Sequence, residues 1–578
     1  MKNFLFNKNL AVKLLLVCLI TSVYITVNAQ QNSNTVVIVK SIDPLIKVTP
    51  DFPSKSTETN SYYAAKGEAV HCQFVVWNNV PLNNFSISLK SLPAGVKYTP
   101  EVNRVGYVSI TNKATKIDDA VTSSSGLYPD PLYNANAPQN LKANSVTSFW
   151  ISFTVPQNMA ASTYRLQFLF KAILNNKPVS LIKNISLTVV PVSLNTSYRP
   201  WFSNWITFDN PVIGGSVQKL QYLNNNVSVL PFSKDYWSKI SGMAAVMRNA
   251  GQNSVLLSPQ KLAKYSYDGK TLKIDFSRFD SAVSYFMQNH VIGMIEGYPI
   301  CGRSAGWGSK IVVQYVKKDS NGKAIFDNMG NPNDAEVKNY FSVYLSALVK
   351  HLKDKNWLQF YYQHVADEPV NSNADSYIQA IKMVKAIAPD LKIIEAIQTT
   401  QVAPYIDIVV PQLDILSKNA DYFQNLVANG KQVWFYTSWL PQGSYANRFI
   451  EQQAIRHRIL FWILAKYNLK GVLNWGFNYW QDDPYKNLGE ISGNDVHPAG
   501  DGWLVYPQYN KVLSSIRLET MTDGMNDYAL LQMLKKKNPA AAKQLIDEVV
   551  KDYSTYNTDV NSFREVRKKL LLQLGNKF

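Results

Sequence analysis

The chain has 578 residues, a formal net charge of +18, and 46% hydrophobic, 17% charged and 12% aromatic residues. One hydrophobic core organises roughly 250–300 residues, so we expect at least two domains, and the composition excludes a coiled coil or a disordered chain. The excess of Lys and Arg indicates an anionic surrounding or partner, but part of it lies in the N-terminal leader and the C-terminal tail, so we expect no nucleic-acid partner.

The first 29 residues have the parts of a secretory signal peptide. Three lysines precede an apolar run from Leu14 to about Val23, and Val27 and Ala29 supply a small-residue cleavage pattern. The apolar run is shorter than the roughly 20 residues that a membrane-spanning helix needs. We therefore predict a cleaved signal peptide over residues 1–29, a secreted or periplasmic protein and no stable membrane span. An uncleaved N-terminal anchor is the alternative.

Residues 30–197 show the pattern of an antiparallel β-sandwich. Short apolar or alternating runs such as HCQFVVWN, SFWISFTV and YRLQFLFKAIL are separated by turn signals, without a helical period between them. Beyond the signal segment the cysteines are Cys72 and Cys301, which fall in different predicted domains, so we expect no disulfide framework.

Residues 198–535 alternate short apolar strands with amphipathic helices. The predicted strands are 201–208, 253–259, 291–299, 360–369, 391–398, 406–413, 432–439 and 471–480. Eight strand-then-helix units predict a TIM-like (β/α)8 barrel, followed by a helical tail over residues 536–578. A glycine-rich dinucleotide motif and a P-loop are both missing from this stretch, and the sequence implies no cofactor.

The fourth predicted strand carries the clearest candidate for chemistry. It ends in HVADEP, so Asp367 and Glu368 lie where the reacting groups of a barrel enzyme are expected. Adjacent acids raise each other's pKa, which favours one protonated acid beside one carboxylate, the division of roles that glycoside hydrolysis requires. A pair of solvated surface charges is the alternative. His364 and Glu368 have a helical zinc spacing, but they lie on a strand without a third ligand, so no metal is predicted.

The seventh predicted strand ends in YTSW, residues 436–439, without the carboxylate that serves many barrel glycosidases as nucleophile. If the substrate carries a 2-acetamido group, its carbonyl oxygen can attack the anomeric carbon instead. Glu368 would then protonate the leaving oxygen and activate water, while Asp367 holds the amide nitrogen. A conventional retaining enzyme with Glu296, Glu395 or Asp414 as nucleophile is the alternative.

Aromatic and polar side chains at strand ends are candidates for binding a sugar, because sugars pack apolar C–H faces on rings and direct hydroxyls to polar groups. Filling of the barrel core is the alternative for many of the rings. The predicted substrate-binding residues are Trp205, Glu296, Gln398, Tyr436, Trp439, Trp475, Asn478 and Trp480.

Three separated motifs resemble glycoside hydrolase family 123 and related secreted bacterial proteins of the DUF4091 type. They are VADEP, then LNWGFNYW followed by DDPY, then GDGWLVYP with SIRLETMTDGMNDYALL, and together they cover about residues 200–535. The resemblance implies an N-terminal sandwich, a TIM-like barrel and β-N-acetylgalactosaminidase activity on glycosphingolipid-type glycans by substrate assistance. It implies Asp367 as stabiliser of the oxazolinium and Glu368 as acid/base.

Together these observations predict an exo-acting, retaining glycoside hydrolase that removes terminal β-linked N-acetylhexosamine, with GalNAc as the expected sugar. The expected partner is a glycosphingolipid- or glycoprotein-type glycan. Two alternatives stay open at this stage, a conventional retaining glycosidase of other sugar specificity and a non-catalytic glycan-binding protein with an idle barrel.

Overall fold

The structure is a computed structural model that describes residues 35–91, 100–111, 118–121, 126–206, 229–480, 483–487, 491–492 and 495–575. The predicted signal peptide, residues 1–29, lies outside the described residues, as do the last two residues of the first predicted barrel strand.

The N-terminal domain consists of two β-sheets. Its strands are β1 Val37–Ile42, β2 Ser61–Lys66, β3 Ala69–Asn78, β4 Leu82–Ser91, β5 Glu101–Ile110, β6 Leu127–Asn134, β7 Gln139–Leu141, β8 Ser145–Thr154, β9 Ser162–Leu174 and β10 Lys177–Ser193. One sheet has the order β1-β3-β8-β5 with β6 also paired to β5, and the other has the order β2-β10-β9-β4-β7. The prediction of a sheet-rich N-terminal domain is confirmed.

Alternating burial explains how these sheets pack. Along β9, Leu166, Phe168 and Phe170 point inward while the residues between them are less buried, as the two-residue period of a strand requires. Phe74 of the first sheet contacts Phe168 and Phe170 of the second, with ring centroids 4.9 and 5.1 Å apart. The apolar core of the domain therefore lies between its two sheets.

The C-terminal domain is built on parallel strands. They are β11 Trp201–Asn204, β12 Ser254–Leu257, β15 Met294–Gly297, β19 Tyr361–Gln363, β20 Lys392–Ile397, β21 Ile408–Pro411, β22 Gln432–Val433, β23 Phe435–Thr437 and β24 Gly471–Asn474. Each lies within a predicted strand range, and β22 and β23 are the two parts of the predicted seventh strand. Trp434 separates these two parts and donates its N–H to the carbonyl of Val409 at 2.9 Å.

Helices and short strands complete this domain and the tail. The helices are α1 Lys234–Asn249, α2 Pro259–Leu262, α3 Ser277–Gln288, α4 Ala335–Asp354, α5 Ala374–Ile387, α6 Leu413–Lys418, α7 Ala420–Ala428, α8 Ala454–Lys466, α9 Ile516–Lys537, α10 Pro539–Val549 and α11 Val560–Gly575. The short strands are β13 Lys264–Asp268, β14 Thr271–Asp275, β16 Cys301–Arg303, β17 Ile311–Lys318, β18 Ala324–Gly330, β25 Lys486–Asn487, β26 Ile491–Ser492, β27 Asp495–Val496, β28 Tyr506–Gln508 and β29 Lys511–Leu513. Helix α9 runs two residues past the predicted domain boundary at residue 535.

The parallel strands do not form one closed sheet. Strands β12, β15, β19, β20, β21 and β22 pair in that order, and β11, β24 and β23 form a second group. Between β11 and β12 the structure has no strand ladder, although Asn253 donates its N–H to the carbonyl of Phe202 at 3.4 Å and its side chain accepts from the Phe202 N–H at 2.9 Å. The predicted closed barrel is therefore not confirmed, and the finding is an α/β domain of parallel strands and helices.

Side chains from these strands nevertheless meet in one apolar interior. The buried members of this cluster include Trp205, Leu256, Met294, Ile394, Ile408, Trp434, Tyr436 and Leu473. The helices cover the opposite faces of the strands. In α4, for example, Val337, Phe341 and Leu345 recur at four-residue spacing and are all buried. The strand ends therefore converge above a packed interior rather than around an open channel.

Buried polar contacts join the two domains. Arg517 of α9 donates its Nε to Asp130 of β6 at 2.9 Å, and the Tyr506 hydroxyl donates to the same carboxylate at 2.5 Å. Lys47 donates its Nζ to the carbonyl of Ile450 at 2.7 Å. Strand β25, which follows the eighth parallel strand, pairs with β5 of the N-terminal domain.

Cys72 in β3 and Cys301 in β16 are buried free thiols. Across the ranges that the structure describes, no helix combines the length and the apolar character needed to cross a membrane.

Asp130→Ala is expected to lower the free energy of unfolding by about 3–5 kcal/mol, because it leaves the Arg517 guanidinium buried without its carboxylate. Denaturant unfolding followed by circular dichroism measures the change. The matched control is Asp354→Ala, which removes the exposed Lys350–Asp354 pair and is expected to cost about 0.5 kcal/mol or less. Equal losses in the two variants would contradict the role of Asp130 in joining the domains.

Candidate active site

Asp367 and Glu368 lie in the turn that follows β19, the fourth parallel strand. Both side chains are partly exposed, and Glu368 has a φ of 46°, a left-handed conformation that costs a residue with a side chain roughly 1 kcal/mol or more. Arg303 of β16 supports this turn, because its Nη2 donates to the carbonyl oxygens of Asp367 at 2.6 Å and Glu368 at 2.9 Å. The strained turn is thereby fixed in one conformation.

The two carboxyl groups raise each other's cost of ionisation. Burial and then the charges of Glu368 and Glu395 raise the pKa of Asp367. Burial also raises the pKa of Glu368, against the opposing hydrogen bonds of Tyr436 and Gln398 and the charge of Arg303. Since two adjacent carboxylates that are partly shielded from water do not readily ionise together, the pair favours one proton and one negative charge. This is the combination that the sequence predicts for acid/base chemistry.

A cluster of three polar side chains, from the fifth, sixth and seventh parallel strands, lies beside Glu368. The Tyr436 hydroxyl oxygen lies 3.0 Å from Oε1 of Gln412, and Nε2 of Gln398 lies 3.3 Å from the Tyr436 hydroxyl and 3.2 Å from Oε1 of Gln412. Burial and the charge of Glu368 raise the pKa of Tyr436, so its hydroxyl stays protonated. The structure thus brings the predicted residues Tyr436 and Gln398 to Glu368.

Gln412 is not among the residues predicted from the sequence. It follows β21 directly and forms a bridge with Tyr436. The signal that could have found it is its position, because a polar side chain at the carboxyl end of a parallel strand reaches the same edge as Gln398.

His364 precedes the acidic pair on the same segment and is completely buried between two carboxylates. Its Nε2 is 3.1 Å from Oε2 of Glu296, and its Nδ1 is 3.0 Å from Oε1 of Glu395. Burial alone lowers the pKa of His364, but the hydrogen bonds and charges of the two glutamates raise it to about 10. The ring is therefore an imidazolium at neutral pH and donates a hydrogen bond on each side.

Each glutamate is held by further donors. Glu296 accepts from the Ser203 hydroxyl at 2.5 Å, from the Ser254 hydroxyl and from the Trp205 indole at 3.1 Å. Burial alone would raise the pKa of Glu296, but the hydrogen bond and charge of His364 and the hydrogen bonds of Ser203 and Ser254 lower it. The predicted binding residues Glu296 and Trp205 therefore bond inside the protein, and Trp205 also packs edge-on against His364 at 5.3 Å.

Glu395 holds the segment that leads into Asp367. Its Oε2 accepts from the backbone N–H groups of Val365 at 2.7 Å and Ala366 at 2.9 Å, and from the Tyr377 hydroxyl at 3.1 Å. Asp414, the third candidate nucleophile, forms an ion pair with Lys418 at 2.7 Å. All three alternative nucleophiles thus have partners in the protein.

The remaining predicted binding residues differ in their exposure. Trp439 and Trp475 are partly exposed; Trp439 stacks on His497 with centroids 4.5 Å apart, and Trp475 donates its indole N–H to Asp501 at 3.0 Å. Trp480 and Asn478 are each 1% exposed, and Trp480 donates to the carbonyl of Val505 at 2.7 Å. Their proposed contact with substrate stays a prediction for all four.

Three residues near the pair were not predicted from the sequence. Arg303 contacts its backbone, as described above, and Trp307 stacks on the Arg303 guanidinium at 3.8 Å. Burial and the charge of Asp367 raise the pKa of Tyr298 to about 12. Tyr298 could have been found as the residue after the third strand, but Arg303 and Trp307 lie in the insertion between the third and fourth parallel strands, for which no element was predicted from the sequence.

The raised pKa of His364 predicts a pH-dependent contribution to stability. Protonation favours the folded state, so the contribution is complete below the ordinary pKa of 6.5 and is lost as pH rises towards 10. We expect His364→Gln to lower the free energy of unfolding more at pH 6 than at pH 10, as measured by denaturant unfolding at both values. His290→Asn, at the exposed end of α3, serves as control. A His364→Gln effect that did not change with pH would contradict a charged imidazole.

Two family models match the sequence. The model described as the glycoside hydrolase 123 catalytic domain matches residues 216–534, and the glycoside hydrolase 123 N-terminal domain matches residues 46–171. A comparison with curated proteins finds no match.

Several solved structures also match the chain. A family 123 glycoside hydrolase from Clostridium perfringens, studied for glycolipid glycan hydrolysis, matches with a TM-score of 0.71 at 18% identity, covering 93% of this chain and 97% of that one. A β-D-glucuronidase from Dictyoglomus thermophilum gives a TM-score of 0.32 at 9% identity, covering 84% and 68% of the two chains. A GH10 xylanase with a bacterial Ig-like domain, from termite gut, gives 0.33 at 10% identity, covering 82% and 100%.

The first of these structures shares the fold over nearly its whole length, and the catalytic-domain model spans more than half of the chain. The resemblance noted in the sequence is confirmed: the chain belongs to glycoside hydrolase family 123.

Proposed function

We propose that this glycoside hydrolase removes terminal β-linked N-acetylhexosamine, with GalNAc as the preferred sugar, by a retaining mechanism in which the substrate's acetamido group is the nucleophile. The observation that carries the proposal is the adjacent pair Asp367 and Glu368, in which burial and mutual repulsion favour one proton and one charge. The work on glycolipid glycans reported for the Clostridium perfringens structure supports a glycolipid-type glycan as substrate.

In the first step, Glu368 donates its proton to the glycosidic oxygen as the bond to the anomeric carbon breaks. The acetamido carbonyl oxygen attacks that carbon and forms an oxazolinium ion, while the Asp367 carboxylate accepts the amide N–H and stabilises the positive charge. In the second step, Glu368 takes a proton from water, and the hydroxide attacks the anomeric carbon. The bond from that carbon to the acetamido oxygen breaks, which opens the oxazolinium ring and restores the acetamido group. Two displacements at one carbon give net retention.

The placement of the other acids supports substrate assistance over a protein nucleophile. Glu296 and Glu395 are completely buried and hydrogen bonded to His364, and the end of the seventh strand presents Tyr436 in place of a carboxylate. A buried carboxylate that already accepts several hydrogen bonds is a poor nucleophile, because attack would require it to leave those donors. Gln398 beside Glu368 is partly exposed and can bind polar groups of the terminal sugar, and the buried Tyr436 hydroxyl holds it in place.

We also propose that the protein acts outside the cytoplasm, on the basis of the signal-like segment at residues 1–29. A glycan substrate on a cell surface or in the surrounding medium is consistent with this location.

Glu368→Gln and Asp367→Asn are each expected to lower kcat on an aryl N-acetyl-β-galactosaminide about 1,000-fold, since general acid/base catalysis contributes 10²–10⁴ and charge stabilisation a similar factor. Release of the aryl group measures the rate. Asp414→Asn is the matched control and is expected to stay within about twofold of the wild type. Wild-type rates in both dyad variants would refute the site, and a large loss in Asp414→Asn would favour a protein nucleophile.

A thiazoline analogue of the GalNAc oxazoline is expected to inhibit at least about 100-fold more tightly than free GalNAc, because it mimics the cyclised intermediate. Competitive inhibition constants measured on the aryl substrate test this. We expect Asp367→Asn to lose most of the preference for the thiazoline, since the carboxylate stabilises the bound ring. Weak inhibition of an active wild type would indicate a conventional covalent mechanism. Binding of glycans without any turnover would indicate a non-catalytic protein.

A further inference from the structure

Trp307 is a large aromatic side chain that the fold leaves exposed. Its exposed fraction is 52%, although tryptophan is on average among the more buried residues. The Arg303 guanidinium lies 3.8 Å from the ring centroid and covers one face. An indole stacked on one side and exposed on the other presents a flat apolar surface.

The loop that carries this ring is tied down by hydrogen bonds. Arg303 donates its Nε to the carbonyl of Trp307 at 2.7 Å, and Asn373 donates its Nδ2 to the same carbonyl at 3.2 Å. Ser372 donates its hydroxyl to the carbonyl of Gly308 at 3.0 Å. These contacts fix the backbone at Trp307 and Gly308, so the exposure of the indole is a property of the folded loop.

The same guanidinium connects the ring to the acidic pair. Arg303 stacks on Trp307, and its Nη2 bonds the carbonyl oxygens of Asp367 and Glu368. The ring therefore lies one side chain away from the turn that carries both carboxyl groups. No other exposed tryptophan is found among the described residues.

The two sides of the acidic pair differ in chemistry. Tyr436 and Gln398, from strands seven and five, supply a hydroxyl and an amide group to Glu368, and Gln412 from strand six bonds both of them. Arg303 and Trp307 come from the insertion between strands three and four and supply an exposed ring. Polar groups suit the terminal sugar, whose hydroxyls and acetamido group must be recognised. An exposed ring suits the part of the glycan that leads out to solvent.

We propose that Trp307 is the binding platform for the sugar on the leaving-group side of the bond, with the apolar C–H face of that sugar packed on the free face of the indole. Arg303 acts as a positioning residue that holds the platform against the acidic pair. This inference rests on the proposed glycosidase activity and adds to it a determinant of which glycans are cleaved.

The test compares two substrates that share the terminal sugar. A β-linked GalNAc oligosaccharide has a sugar on the leaving-group side, and β-N-acetylgalactosaminyl fluoride has none. We expect Trp307→Ala to lower the ratio of kcat/KM for the oligosaccharide to that for the fluoride about tenfold, mainly through KM, and Trp307→Phe to keep part of the preference. The matched control is Tyr509→Ala, another exposed ring, near Lys239 at 5.6 Å, which should leave the ratio unchanged.

Each outcome bears on one hypothesis. An equal loss of kcat/KM on both substrates would make Trp307 a support of the acidic pair and would overturn the platform. Unchanged kcat/KM on both substrates would overturn the platform too. Both of these results leave the proposed activity standing, because the wild type cleaves. If the wild type cleaved neither substrate, the proposed activity would fail and the platform with it.

Discussion

The end of the C-terminal domain that carries the acidic pair depends on one buried ion-pair network, in which the His364 imidazolium lies between Glu296 and Glu395. It connects the ends of strands three, four and five, and Glu296 extends it to strands one and two through Ser203 and Ser254. Removal of one partner would leave an uncompensated charge in an apolar interior, which is among the most costly single changes in a protein core. The network therefore holds together the strands on which the acidic pair is mounted.

The same network influences the electrostatics above it. The network of two carboxylates and one imidazolium carries a net negative charge near Asp367, and Glu395 contributes to raising the pKa of that residue. Glu395 also holds the N–H groups of Val365 and Ala366, so position and charge are set by one side chain. Geometry and protonation of the pair are thus coupled: a change at Glu395 that loosens the strand end also alters the pKa of Asp367.

Sequence patterns predicted the strands and the strand-end position of the acidic pair, because both depend on local signals, while the catalytic role of the pair stays a prediction. Alternating burial and strand-end position identify β9 or Asp367 without reference to distant residues. The closed barrel was not confirmed, because pairing between β11 and β12 depends on three-dimensional register that an apolar run does not encode. The rings illustrate a second limit: Trp480 lies at a predicted strand end but is buried, whereas Trp307 lies in an irregular insertion and is exposed. Exposure is a property of packing, and spacing in the sequence does not report it.

The pairing of β25 with β5 has a consequence for how this architecture can change. In many multidomain enzymes an accessory domain hangs on a linker and can be exchanged as a module. Here a segment that follows the eighth parallel strand is an edge strand of the N-terminal sheet, and Arg517 enters the same interface from α9. The N-terminal domain is therefore an integral part of the structural unit that it forms with the C-terminal domain, and it is not a separately attached module. Recombination at the domain boundary would break a sheet as well as a linker, so the two parts are expected to diverge together as a single heritable unit.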